Sequence, residues 1–299
     1  LTWQAGTALF ASDKDKGALK TLKPISRLLA CAAMVFASPA LADHTPDQLS
    51  AARQAEARGA EMYAYDQAAW HSTDSFQDDL KKRGWSLERA QQEGLSGYIV
   101  EPAANGRLLA TFYRTKGGKL VAMARYWVLG SKVERGELIK DGEDNALSPL
   151  ALRLIEAREK AIDAAVADKV FLCTKGNVNT VVLSPRADGS IPAYVMSAGV
   201  ETGVFPAGGH YLYVFGTNGK LQSSRAFSKS CINVDSRAVP KDAAGYGLTH
   251  LLDPQPNEVH AFVSYNVPIK LFVIIDASKD LWEIDRGKII YKQVMKDMP

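Results

Sequence analysis

The stretch from Ser148 to Val166, SPLALRLIEAREKAIDAAV, decides how this chain is organised. Ser148 followed by Pro149 is a helix-start signal: a hydroxyl that can cap free N–H groups, then a residue whose fixed φ suits the first turn. Leu150, Leu154, Ile155, Ala161, Ile162, Ala165 and Val166 recur at helical spacing and predict one apolar face. On the wetter side, Glu156 with Lys160 attracts and Glu159 with Asp163 repels, as on a solvated face. The helix stands between two regions that read as strands. That order, rather than an alternation of strand and helix, points to an α+β fold with antiparallel sheets.

Upstream, Thr45-Pro46-Asp47-Gln48 is a second helix start with the elements of a capping box. The pattern predicts a helix ending near Trp70, another over 72–83 stopped by Gly84, and a short one over 85–92. Strands follow over 97–100, 108–114, 120–129 and 132–140, with a hairpin turn at Lys116-Gly117-Gly118-Lys119. A polar run over 141–145 is the candidate boundary between the two halves.

Downstream, 179–184, 192–197, 210–215 and 220–227 read as strands, and Thr217-Asn218-Gly219 as a tight hairpin. Residues 235–257 read as a linker rich in Gly and Pro. Late strands are expected over 258–265, 270–276 and 281–285, with an edge strand over 288–292. Tyr211, Tyr213 and Phe215 share a strand face that reads as core.

The first 42 residues read as an export signal. Lys14, Lys16, Lys20, Lys23 and Arg27 precede the apolar run LLACAAMVFA over 28–37, and Pro39 then precedes the small pair Ala40 and Ala42. Basic, apolar and small segments in that order predict cleavage after Ala42, with the first dozen residues as an extension ahead of the signal. Ten apolar residues are too few for a spanning helix, which needs roughly 20. Three segments result: a signal peptide over 1–42, a helical and sheet region over 43–145, and a helix plus β-rich region over 146–299, which can be continuous with the second.

Cleavage changes the composition. The whole chain has 299 residues, 36 basic and 33 acidic. The leader holds five of the basic and two of the acidic ones, so residues 43–299 are neutral on a formal count. A neutral chain without a Lys/Arg cluster does not fit nucleic acid, whose binding rests on neutralising phosphates. No stable membrane anchor is expected once the signal is gone. Cys31 leaves with the leader, and Cys173 and Cys231 remain. Two cysteines in an exported bacterial protein, periplasmic or secreted, are expected to pair.

The nucleophile elbow Gly-x-Ser-x-Gly, the phosphate loop, the dinucleotide glycine fingerprint, His-Glu-x-x-His and Cys-x-x-Cys are all missing. The best polar constellation is His250, Asp253, Glu258 and His260. If 258–265 is a strand, Glu258 and His260 share a side and can converge with His250, as two histidines and a carboxylate do around catalytic zinc. His210, after Gly208-Gly209, is a candidate general base beside His260 and Glu258. The same residues have a plain structural reading: Asp253-Pro254-Gln255-Pro256 as a turn, His260 as a hydrogen-bonded core residue, the glycines as turn residues. The leading expectation is therefore a non-catalytic binding or interaction module without a cofactor, taking a protein or cell-envelope ligand. The alternative is a zinc-assisted hydrolase using the His/Glu cluster.

Overall fold

The computed structural model describes residues 45–140, 142–174, 178–199 and 201–295. The leader expected over 1–42 and its cleavage point lie outside them.

The chain enters α1, Pro46–Lys82, through the anticipated capping box. Gln48 N–H donates to Thr45 Oγ1 at 3.3 Å, and Thr45 N–H donates to Gln48 Oε1 at 3.3 Å. The helix does not stop near Trp70; it runs 37 residues without a break, roughly 55 Å at 1.5 Å per residue. No Gly or Pro interrupts residues 70–76, and Thr73 Oγ1 folds back onto the Ala69 carbonyl at 2.8 Å, so its hydroxyl is satisfied inside the helix. Ala52, Ala55, Gly59, Met62, Tyr65, Ala69, Phe76 and Leu80 form its buried stripe. Gly84 ends it at φ +75°, where Trp85 N–H reaches the Leu80 carbonyl and Gly84 N–H that of Lys81, both at 2.9 Å.

After α2, Leu87–Gln92, come β1, Leu95–Pro102, β2, Leu108–Lys116, β3, Lys119–Leu129, and β4, Lys132–Leu138. They form an antiparallel meander in chain order. Gly117 and Gly118 supply the two positive φ angles, +57° and +75°, that the tight β2–β3 turn requires.

Helix α3, Pro149–Ala167, is capped by Ser148, whose Oγ accepts from Ala151 N–H at 2.8 Å. It buries Ala151, Leu154, Ile155, Ala157, Ala161 and Ala165. Val166, expected on that face, is 72% exposed, because it lies one residue's rotation round the helix from Ala165. Next come β5, Val178–Val182, β6, Ile191–Ser197, β7, Val204–Pro206, β8, His210–Phe215, and β9, Leu221–Ala226. β5, β6, β8 and β9 make a second antiparallel sheet in that order. β6 and β8 are buried along their whole length because both faces are covered. Ala193, Val195, Tyr211, Tyr213 and Phe215 pack with α3 residues. Tyr194, Met196, Leu212 and Val214 join the cluster that contains the α1 stripe.

β10, Asn233–Asp235, pairs with β7. The last sheet orders β11, Tyr246–His250, β12, Leu271–Ile275, β13, Asp280–Asp285, and β14, Lys288–Val294. Two expectations fail here. The stretch read as linker contains strand β11, and the stretch read as a strand over 258–265 is helix α4, Glu258–Asn266. The two errors share one cause. β11 pairs with β12 in parallel, and parallel neighbours need a crossover, which α4 supplies. The Asn257 side chain caps α4 by accepting from Val259 and His260 N–H, and Val259, Phe262 and Val263 bury at helical spacing. α4 lies hard against α1: a Cβ on Gly59 would stand 2.5 Å from Ala261 Cβ and 2.8 Å from the Glu258 carbonyl. The fold is thus α+β. Among the described residues no helix is long and apolar enough to cross a membrane.

Candidate functional site

A cleft of about 680 Å³ opens between residues 227–233, which follow β9, and residues 246–252, which comprise β11 and its exit. That volume falls within the range of ligand sites.

The first wall is fastened from behind. Cys173 and Cys231 are joined by a disulfide, with their Cα atoms 5.2 Å apart. Ser228 Oγ accepts from Gly209 N–H and donates to the Ser230 carbonyl, each at 3.0 Å. Ser197 Oγ accepts from Cys173 N–H at 2.8 Å and donates to the Gly209 carbonyl at 3.0 Å. The glycine pair is what lets these segments meet. A Cβ on Gly208 would stand 2.5 Å from the Ser230 carbonyl oxygen. One on Gly209, already at φ +70°, would stand 2.5 Å from Ser197 Oγ and 3.0 Å from Cys173 Sγ.

The second wall carries the histidines. His250 and His260 meet edge to face, with ring centroids 4.7 Å apart. Protonated at Nε2, His250 donates to Asp253 Oδ2 at 2.9 Å; unprotonated there, it accepts from Asp253 N–H at 3.0 Å. Arg225 Nη2 reaches both Asp253 oxygens at 2.9 and 2.6 Å, and Asn257 Nδ2 donates at 2.8 Å. Burial alone would raise the Asp253 carboxyl. The bonds from His250, Arg225 and Asn257 outweigh it and hold the group well below the usual carboxylate range. The Arg225 guanidinium also lies 4.5 Å over the Phe227 ring, so it ties the two walls together.

His260 accepts Asn257 N–H at Nδ1 (3.1 Å), which completes the α4 capping box. Burial, then the neighbouring His250, holds its basicity well below that of an ordinary histidine. The ring is therefore neutral, with its proton on Nε2. It lines the cleft, and that N–H has no acceptor among the described residues.

His210 is placed differently. It has no exposed surface, and its Nε2–H donates to the Pro206 carbonyl at 3.0 Å. Burial pushes it down to about 4 against the upward pull of that bond. Its Nδ1 is buried without a partner. Such a ring cannot reach a substrate held in the cleft. Glu258 does not join the histidines either, which corrects the reason for grouping them. On a strand Glu258 and His260 would share a side. Two residues apart on a helix they diverge by about 200°, and the Glu258 carboxylate accepts from Tyr194 OH at 3.2 Å. No set of three or more His, Cys, Asp or Glu side chains that could hold a metal occurs among the described residues.

Several contributors were not read from the sequence. Arg225 sat in an ordinary strand, and Lys229 carried no local motif. Leu251 and Leu252, 52% and 37% exposed on the cleft, stood in the supposed linker. The legible signal there was Asn257 ahead of Val259, Phe262 and Val263, a cap before a helical apolar pattern. The chain matches no known protein family, no curated protein and no solved structure.

Proposed function

We propose that this chain is an exported, non-catalytic binding protein of a bacterial envelope or secretome, and that its ligand occupies the cleft between 227–233 and 246–252. The observation that carries this reading is the pairing of a fastened wall with exposed leucines and the His260 ring in one concave surface. Such a mixture, mainly apolar with a few convergent polar groups, characterises ligand sites. The disulfide fits an oxidising compartment, periplasmic or extracellular. The neutral charge of residues 43–299 fits a protein or cell-envelope ligand better than nucleic acid. Hydrolysis has less support, since Glu258 is turned to Tyr194 and His210 is sealed.

A library of peptides, glycans and small metabolites, screened by amide chemical-shift perturbation on the oxidised chain, tests the reading. Hits are expected to move amides over 227–233 and 246–252. Hits confined to other surfaces, or turnover of a screened ester, amide or glycoside, would overturn it.

A further inference from the structure

We infer that the cleft ligand is an extended polypeptide segment that adds to the last sheet as a strand beside β11; this deepens the binding reading and rests on it. All five residues of β11 line the cleft, as the edge of a strand does, whereas a face would contribute alternate residues. Tyr246 N–H donates to the Lys270 carbonyl at 2.8 Å, and Asp276 N–H donates to the His250 carbonyl at 2.9 Å. Tyr246, Leu248 and His250 therefore turn their backbone groups to β12. Gly247 and Thr249 turn theirs the other way, where no strand pairs and no partner stands among the described residues.

Natural proteins blunt open edges with charge. The other edge of this sheet, β14, carries Lys288 and Lys292, and the β4 edge carries Lys132, Glu134, Arg135 and Glu137. β11, with sequence YGLTH, carries no Lys, Arg, Asp or Glu, so it lacks that protection. Unpaired alternate backbone groups ask for a ligand with the same repeat, and a polypeptide strand has it.

Charge narrows the sequence of that segment. The cleft lining includes Lys229, which has no ion-pair partner among the described residues, and includes no Asp or Glu. A strand with apolar residues and a carboxylate fits; one rich in Lys or Arg does not. A second copy of this chain fits poorly, because its own β11 lies within a cleft walled by its own 227–233.

The probe is a phage-displayed library of random heptapeptides, panned on the oxidised chain. Enriched sequences should be rich in β-branched and apolar residues, contain Asp or Glu, and lack Lys and Arg. Thr249→Pro removes an outward N–H and should weaken the best peptide by about tenfold, the worth of one to two hydrogen bonds. Thr249→Val, which keeps the N–H, should leave affinity within about threefold. N-methylation of alternate peptide residues, which needs no variant to fold, should abolish binding in one register and spare it in the other. No enrichment, equal tolerance of both methylation registers, or Lys/Arg-rich winners would overturn strand addition. A glycan or metabolite that binds the cleft equally well with Thr249→Pro would overturn it too, while leaving the binding reading intact.

Discussion

The two walls of the cleft are built on opposite principles. Residues 227–233 are stapled by the Cys173–Cys231 bond, and the hydroxyls of Ser197 and Ser228 bind the backbone around Gly209. In residues 246–252 the backbone pairs along one side of the strand only, and the outward groups of Gly247 and Thr249 are left over. The fastened wall offers a ligand shape and the Lys229 charge, with its backbone largely committed. The open wall has hydrogen-bonding capacity and is kept in place by parallel pairing to β12 and by the Arg225–Asp253–His250 chain. A groove with one rigid side and one unsaturated side is ordered before binding and still has bonds to make, which lowers the ordering cost of association.

Removing the staple should be the largest perturbation. The bond closes a 58-residue separation, for which the chain-entropy relation gives about 4 kcal/mol. Cys173→Ser with Cys231→Ser should lower the urea midpoint accordingly; an unchanged midpoint would show that the serine brackets suffice alone.

Proline substitution separates the two edges of β11. Leu248→Pro removes a donor to β12 together with the packing of a buried leucine and should cost about 3–5 kcal/mol. Thr249→Pro removes one that pairs with nothing and should cost less than about 1 kcal/mol. Equal melting temperatures for the two variants would contradict the assignment of edges.

Acid should loosen the region behind the fastened wall, where Phe227 N–H donates to the His210 carbonyl at 3.0 Å. An unfolded histidine titrates near 6.5, and burial lowers folded His210 to about 4. Between those values the unfolded chain binds more protons than the folded one. This contribution is therefore full above about pH 6.5, declines as the pH falls, and is lost below about pH 4, a total of about 3 kcal/mol. His260 shifts in the same direction and adds to the slope. Urea midpoints between pH 7.5 and 4.5 should fall less steeply in His210→Gln; an identical slope would assign the effect to other groups.

The smallest change probes the bracket in the fastened wall. Gly209→Ala places a methyl group at a positive φ and 2.5 Å from Ser197 Oγ, a strain of about 1–3 kcal/mol. Calorimetry should show the loss with the disulfide still formed. Wild-type stability would mean that the segments yield without strain.

The elements that were legible in the sequence are those specified by neighbouring residues. Thr45-Pro46 and Ser148-Pro149 mark their helices because a cap acts within one turn. Gly117-Gly118 marks its hairpin because positive φ is a local demand. The break expected near Trp70 did not occur, since polarity does not end a helix whose other side is buried. The 258–265 segment misled because EVHAFVSY suits strand and helix alike, and Val259, Phe262 and Val263 choose helix only against α1 and the last sheet. Of the site, Cys173 with Cys231 could be paired from their number and the expected compartment. The grouping of Glu258 with His260 could not survive the change from strand to helix.

The sequence alone determined the α+β order, the helix caps, the tight turns and the cysteine pair, because each rests on short-range stereochemistry or simple counting. Only the tertiary structure decided that β11 exists, that Arg225 joins Asp253, and that His210 is sealed while His260 keeps a free N–H. Those features depend on segments tens of residues apart meeting, and on which side of a strand is left unpaired. No local pattern encodes either.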